Sequence, residues 1–422
     1  MTYYYVNNII GSDSNGGTSE AQAWAGITCW LDQTKGFTGG DSLWIKGTTM
    51  MYDIGRGNWN TGTDTKYSFS TTTTYFPRIY VQGYSSVTGD NCVGGLKPTL
   101  TRNVGDGVGN QYGSWDLMRN GYATFANLHF WANLSGTPHQ SAVAMRGSKS
   151  NIYRNLSIHV GATYNGNMNG PLVGYDSTNS AYWLPIDAIH ITSVPGLAFN
   201  SGKNMAFGSG RMSVRGAIVD ASNITQNDIV MDGDFNFDYD AFVRDGNLYI
   251  GNLGTDQIGI SLVCTANPYG IRIEKCVFVG LGTGIKFTTA LSDLGQYWDR
   301  YNLVVKDCIF INCGIGVDFD NTNLADWKRH IEVVDCKFYN CTTNMINGAA
   351  GPFNNKAITE NPWDSVNKKL NKYGKSLLTT PYKTILDVNN GGPTGMIDGT
   401  GRDSNSIAGT LNDILPTIIT TF

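Results

Sequence analysis

The sequence predicts an all-β chain wound as a single-stranded parallel β-helix, a solenoid of stacked coils. Three observations predict it: a repeat close to thirty residues, apolar and polar residues alternating at strand period, and an excess of turn formers. Glycine supplies 52 of 422 residues, about 12%, against a usual ~7%. Charged residues make up 15%, against ~25% in an ordinary domain. Asn, Thr, Ser and Gly must therefore cover most of the surface.

The repeat is clearest in three segments: IRIEKCVFVGLGTGIKF from Ile271, LVVKDCIFINCGIGVDF from Leu303, and IEVVDCKFYNCTTNMIN from Ile331. Each alternates, reaches a turn of small residues and starts a second short strand. Their central residues are Cys276, Cys308 and Cys336, and the same template matches upstream at Asn247, Ala217, Ile189, Leu156 and Leu128. These eight positions are separated by 28, 33, 28, 30, 29, 32 and 28 residues. No helix-period segment falls between them, so the coils stack strand on strand at ~4.8 Å. Two residues further on, the inward column reads Phe130, Ile158, Ile191, Val219, Tyr249, Phe278, Phe310 and Phe338. The cysteines form two columns, Cys276/Cys308/Cys336 and Cys313/Cys341, and are expected to be free, small buried hydrophobes. Side chains stacked in one direction suit disulfide torsions poorly.

The chain divides into residues 1–40, an N-terminal strand and capping helix; 41–348, the β-helix; and 349–422, a C-terminal helix with an irregular tail. In the first segment Thr18 or Ser19 is placed to cap a helix whose face carries Trp24, Ile27 and Leu31, closing the open apolar end of the solenoid. LWIKG at Leu43 and IYVQG at Ile79 follow as opening rungs. In the last segment Asn361 is placed as N-cap of a helix, with Pro362 in its first turn. Trp363, Val366, Leu370 and Tyr373 form its stripe, and Gly374 follows Lys368, Lys369 and Lys372.

Gly11-Ser12-Asp13, Gly17-Thr18-Ser19, Ala23-Trp24, and Gly40-Asp41 before Trp44-Ile45-Lys46-Gly47 together resemble the entry of right-handed parallel β-helix proteins of the pectate-lyase-like superfamily. With the coils, the resemblance covers about residues 3 to 348. It implies right-handed winding. It implies no single activity, because that superfamily holds lyases, hydrolases, epimerases, phage tailspikes and non-enzymatic virion proteins.

One and three residues after each reference position lie the outward pairs His129/Trp131, Ser157/His159, His190/Thr192 and Ile218/Asp220. They continue as Leu248/Ile250, Val277/Val279, Ile309/Ile311 and Lys337/Tyr339. The polar half holds three of the five histidines, and Asp220, His159 and His190 are its acid/base candidates. A solvated strand face is the plainer account of the same residues. The aliphatic half, Leu248, Ile250, Val277, Val279, Ile309 and Ile311, is a patch that a lone monomer rarely leaves wet. Either the chain's own C-terminal segment or another subunit, as in a homotrimer, covers it. The superfamily's enzymes cluster Asp, Glu, Lys or Arg on one face, and these columns carry no such cluster.

MDGDFNFDYDAF sets Asp232, Asp234, Asn236, Asp238 and Asp240 at alternate positions. Placed on one strand, the comb is a wet face with Phe235, Phe237 and Tyr239 packing inward. Asp232, Asp234 and Asp238 are also candidates for calcium, the sole cofactor considered, although Phe237 stands where a calcium loop needs glycine and the closing Glu is missing. Tyr164, Tyr182 and Trp183 are candidate glycan contacts or ordinary loop packing.

The net charge of −4 and the lack of a basic stripe argue against nucleic acid. No apolar run is long enough to span a membrane. MTYYYVNN lacks the basic start and apolar core of a signal peptide, which points to assembly in a bacterial cytoplasm. The sequence-level expectation is a bacteriophage virion structural protein: a capsid appendage, decoration or spike-like subunit, trimeric, touching other virion proteins and host surface glycans. Its main alternative is a polysaccharide lyase or glycoside hydrolase acting as a depolymerase. A third is a secreted adhesin.

Overall fold

A strand turns a corner most economically through one residue in the left-handed backbone region, and this chain does so at the first corner of each coil. Asn127, Asn155, Ala188, Lys275, Asp307 and Asp335 have φ between 50° and 61°, and Gly216 and Gly246 continue the column at 59° and 88°. Asn and Asp tolerate that region better than other L-residues. The corner costs no backbone hydrogen bond. Gly246 N donates to Lys275 O at 3.0 Å, Lys275 N to Lys306 O at 2.9 Å and Asp307 N to Val334 O at 3.1 Å.

The computed structural model describes residues 1–53, 78–92, 95–101, 115–117, 123–132, 143–146, 152–160, 172–175, 183–193, 203–207, 211–224, 229–235, 240–244, 246–253, 255–264, 270–289, 302–320, 331–346, 355–365 and 369–370. It is a parallel β-helix. A complete coil runs through Gly270–Glu274, the corner at Lys275, Val277–Val279, a second corner at Gly280 and Thr283–Thr289. Equivalent strands pair in parallel from coil to coil, forming one long sheet folded at the first corner and a second sheet from Trp115–Leu117 to Thr343–Ile346.

Register follows the repeat residue for residue. Phe130 pairs with Ile158, Ile158 with Ile191, Ile191 with Val219, and Val219 with Tyr249. Tyr249, Phe278, Phe310 and Phe338 then stack nearly parallel, with ring centroids 5.3, 4.9 and 5.0 Å apart. Gly259, Gly284 and Gly316 face this stack: a Cβ on Gly284 would lie 2.6 Å from the Phe310 ring. Bare backbone is what lets the rings fill the coil.

The reference column does more than exclude water. The Cys276 thiol lies 3.5 Å from Val243 O, Cys308 3.5 Å from Ile273 O and Cys336 3.7 Å from Val305 O. Asn247, in the same column, donates to Val214 O at 3.1 Å. Each side chain reaches a carbonyl of the preceding coil. All seven cysteines with described side chains are free thiols.

The ends correct the sequence reading. Ser19 stands at the N-cap of a 3-10 turn, Glu20–Gln22, with no side-chain capping bond, and Ile27–Leu31 and Gln33–Lys35 are also 3-10. Trp24 is in none of them. Its backbone bridges Val6, exchanging bonds with Tyr5 O and Asn7 N, so strand pairing took the residue that the helical pattern needed. The end is still plugged, by Tyr4 stacked on Trp24 and by Trp30 against Phe37. Tyr3–Val6 is itself the first rung, paired with Ser42–Lys46, which pairs with Ile79–Tyr84.

At the other end no helix forms over the described part of NPWDSVNKKLNKYG. Asn361 Oδ1 accepts from Trp363 N at 2.9 Å, as a cap would. Trp363–Asp364 then pairs antiparallel with Lys369–Leu370. Ser365, Val366 and Asn367 are weak helix formers between them, and a short hairpin buries Trp363 to 7% exposure. Three strands of the long sheet escaped the repeat pattern: Tyr52–Asp53, paired with Thr99–Thr101, which pairs in turn with His129–Ala132, and Lys356–Ile358, paired with Lys337–Tyr339. The last carries the stack past residue 348.

The aromatic stack is the core's main packing unit. Replacing Phe310 by Ala removes a ring held on both faces and should cost ~3–5 kcal/mol, against under ~1.5 kcal/mol for Phe310→Leu. Equilibrium urea unfolding of both variants measures the difference.

Candidate functional site

The strand positions just before the first corner carry a ladder of charges. Arg154 pairs with Asp187, Asp187 with Arg215, Arg215 with Arg244, Arg244 with Glu274, and Glu274 with Lys306. Between these residues Tyr153, Ile186, Val214, Val243, Ile273 and Val305 point into the core and are buried, so alternation turns the ladder outward. Arg154 and Lys306 are exposed; Arg215, Arg244 and Glu274 are half-buried. Two residues upstream on the same face, Arg272 is exposed and pairs with Glu274 at 3.2 Å. Five steps of ~4.8 Å make a track about 24 Å long.

Five cations, Arg154, Arg215, Arg244, Arg272 and Lys306, thus share one face with Glu274 and, in the Arg272 column, Glu332, while Asp187 holds the register position between Arg154 and Arg215. Sequence reading placed no such cluster because it followed only the columns after the corner. The signal was present: the ladder obeys the same repeat, with spacings of 33, 28, 29, 30 and 32 residues. Asp187 and Glu274 stand three rungs apart, about 14 Å by strand spacing, beyond the ~5–9.5 Å of a glycosidase carboxylate pair.

The columns after the corner are buried from His129 to Ile311, contrary to the solvated face expected, and only Lys337 and Tyr339 at their end are half-buried. His129, Trp131, His159, His190, Thr192 and Asp220 are all at most 6% exposed. His159 stacks on Trp131 with centroids 4.7 Å apart, its Nδ1 lies 2.7 Å from Thr192 Oγ1, and its Nε2 has no partner. Burial holds its pKa down, to about 4. Asp220 accepts from Ser222 N at 3.0 Å and Ser222 Oγ at 2.5 Å. Beside them Lys97, fully buried, donates to Asn155 O and Oδ1 at 2.9 and 2.7 Å and lies 3.3 Å from Ser157 Oγ. This is a sealed polar network, out of reach of a polymer.

Leu248, Ile250, Val277, Val279, Ile309 and Ile311 are at most 4% exposed and lie outside the contiguous core of the coil. The chain itself covers them. They present no open stripe to a second subunit.

The comb is not one strand. Asp232 and Asp234 belong to Ile229–Phe235, Asp240 begins Asp240–Arg244, and Asp238 lies outside the described residues. Asp232 is in register with Ser261, Lys286 and Asp318 on successive rungs. Among the described residues no three His, Cys, Asp or Glu gather as a metal site. Trp183 opens the strand Trp183–Ser193, in register with Arg211, whereas Tyr164 and Tyr182 fall outside the described residues.

No protein-family model matches the chain, and no curated protein matches it. Among solved structures, the native GH136 lacto-N-biosidase from Eubacterium ramulus aligns with a TM-score of 0.44 and 13% identity, over 85% of this chain and 67% of its own. Its selenomethionine derivative aligns at 0.33 and 12%, with the same coverage. XylC in complex with xylose aligns at 0.41 and 8%, over 84% of this chain and 86% of its own. At this identity and overlap no activity transfers.

His159 generates a pH dependence. The folded chain keeps it neutral down to about pH 4, whereas an unfolded chain protonates it near 6.5. The unfolded state therefore binds more protons in that window, and stability falls as pH drops through it. The loss amounts to ~3 kcal/mol by pH 4. Unfolding midpoints of wild type and His159→Gln across this range should converge as pH falls, because the variant lacks that slope.

Proposed function

We propose that this β-helix binds an acidic polysaccharide along the charged ladder and cleaves it by elimination. The observation that carries the proposal is the set of five cationic side chains on one outward face, repeating along the stack axis. A polymer needs a long, regular track, and the ladder has that form, exposed at Arg154, Arg272 and Lys306 and half-buried at Arg215, Arg244 and Glu274. Arg guanidinium forks grip carboxylates in two-point contact. Neutralising a uronate carboxylate also acidifies the adjacent C–H, which is the charge stabilisation that elimination needs. The proton passes to a base on the same face, such as Glu274, and the glycosidic oxygen leaves as the C=C bond forms. Hydrolysis by paired carboxylates fits the ladder less well, given the spacing of Asp187 and Glu274.

A virion subunit trimerised through its aliphatic face rests on that face being free, and its burial within one chain removes that support. A virion-borne depolymerase remains compatible with the ladder, as does a secreted enzyme.

The test is affinity electrophoresis through gels containing polygalacturonate, alginate or neutral dextran. The expected result is salt-sensitive retardation by an acidic polymer alone, weakened tenfold or more in Arg215→Ala/Arg244→Ala and in the more exposed Arg154→Ala/Lys306→Ala. Ultraviolet absorbance from a new C=C bond in the product identifies elimination; new reducing ends without it identify hydrolysis. Equal retardation by dextran, or none by any acidic polymer, overturns the proposal.

A further inference from the structure

Cys313 and Cys341 face each other on neighbouring coils near the end of the stack. Ile311 pairs with Tyr339 and Ile315 with Thr343. The residue midway on each strand therefore falls opposite its counterpart, and Thr342 N donates to Cys313 O at 3.2 Å. Cα atoms so placed lie about 4.8 Å apart, inside the ~4.4–6.8 Å that a disulfide spans. The two thiols are within hydrogen-bonding reach of each other.

Their surroundings differ. Cys313 is buried at 2% exposure, while Cys341 is partly exposed and precedes Thr343–Ile346, the strand that ends the second sheet. Both sulfurs now lean the same way, each 3.6 Å from the carbonyl two residues back. That shared rotamer does not favour a bond, but the open side of Cys341 lets its side chain swing. The other column has no such freedom: Cys276, Cys308 and Cys336 are all fully buried.

We propose that Cys313 and Cys341 form a reversible disulfide that staples the last coils of the solenoid, with Cys341 as the thiol that meets the oxidant. The hydrogen bond from Cys313 holds the Cys341 thiol below its usual pKa, whereas burial raises that of Cys313. Cys341 is thus the nucleophile and Cys313 the resolving thiol. With oxidised glutathione, the Cys341 thiolate attacks one sulfur, breaking the S–S bond and releasing a glutathione thiolate. The Cys313 sulfur then attacks Cys341 of the mixed disulfide. The second glutathione leaves with the Cys313 proton. Two electrons pass from the protein thiols to the glutathione disulfide.

Intact mass and non-reducing peptide maps of the full chain treated with oxidised glutathione test this. Wild type should lose two hydrogens, yield a Cys313–Cys341 linked peptide, and gain several degrees in unfolding midpoint, all reversed by dithiothreitol. Cys313→Ser should stop at one glutathionyl adduct on Cys341, and Cys341→Ser should form neither product. The proposal fails if wild type also stops at the adduct, if the bridge maps to other cysteines, or if Cys341 does not react.

Discussion

The structure depends on a corner that keeps its hydrogen bonds. At the first corner of each coil one residue enters the left-handed region, redirects the strand, and still donates its amide to the next coil. Because the corner breaks no rung, coils can stack indefinitely, and the fold needs only a residue that accepts the backbone at each repeat. Six of the eight corner residues are Asn, Asp or Gly; Ala188 and Lys275 hold the same conformation under the constraint of the coils on either side. Such strain persists when neighbours over-determine it.

Once the corners are aligned, every strand position becomes a column. Inside, like residues meet like, which is why the Tyr249–Phe338 rings stack and glycines clear space across the lumen. Outside, a column can be uniform or graded. The one after the corner grades from His and Ser to Leu, Val and Ile, buried from His129 to Ile311, and opens only at the last pair, Lys337 and Tyr339. The one before the corner carries charges of both signs, exposed at Arg154 and Lys306 and half-buried at Arg215, Arg244 and Glu274. A solenoid can therefore seal one face and offer another from the same repeat.

That division bears on chemistry. The histidines draw attention in the sequence, but they are buried and His159 is held neutral, so they contribute specificity of fold and sensitivity to acid. The arginines recur as single residues at long intervals and draw none. Only stacking brings Arg215 and Arg244 to adjacent rungs between Asp187 and Glu274.

The sequence by itself determined the repeat, the inward column and the register, because parallel stacking with a fixed corner leaves one way to superpose Cys276, Cys308 and Cys336. It also contained the ladder, in spacings that match those of the core to within one residue. What it could not determine was exposure. Whether a column after the corner faces water depends on segments far along the chain, which local period does not encode. The ends were decided the same way: Trp24 paired with Val6 and Trp363 with Leu370, since a ready strand edge and a hairpin outweighed short helical patterns too brief to hold alone. Tertiary structure chose which face was sealed, and so which residues remain to meet a partner.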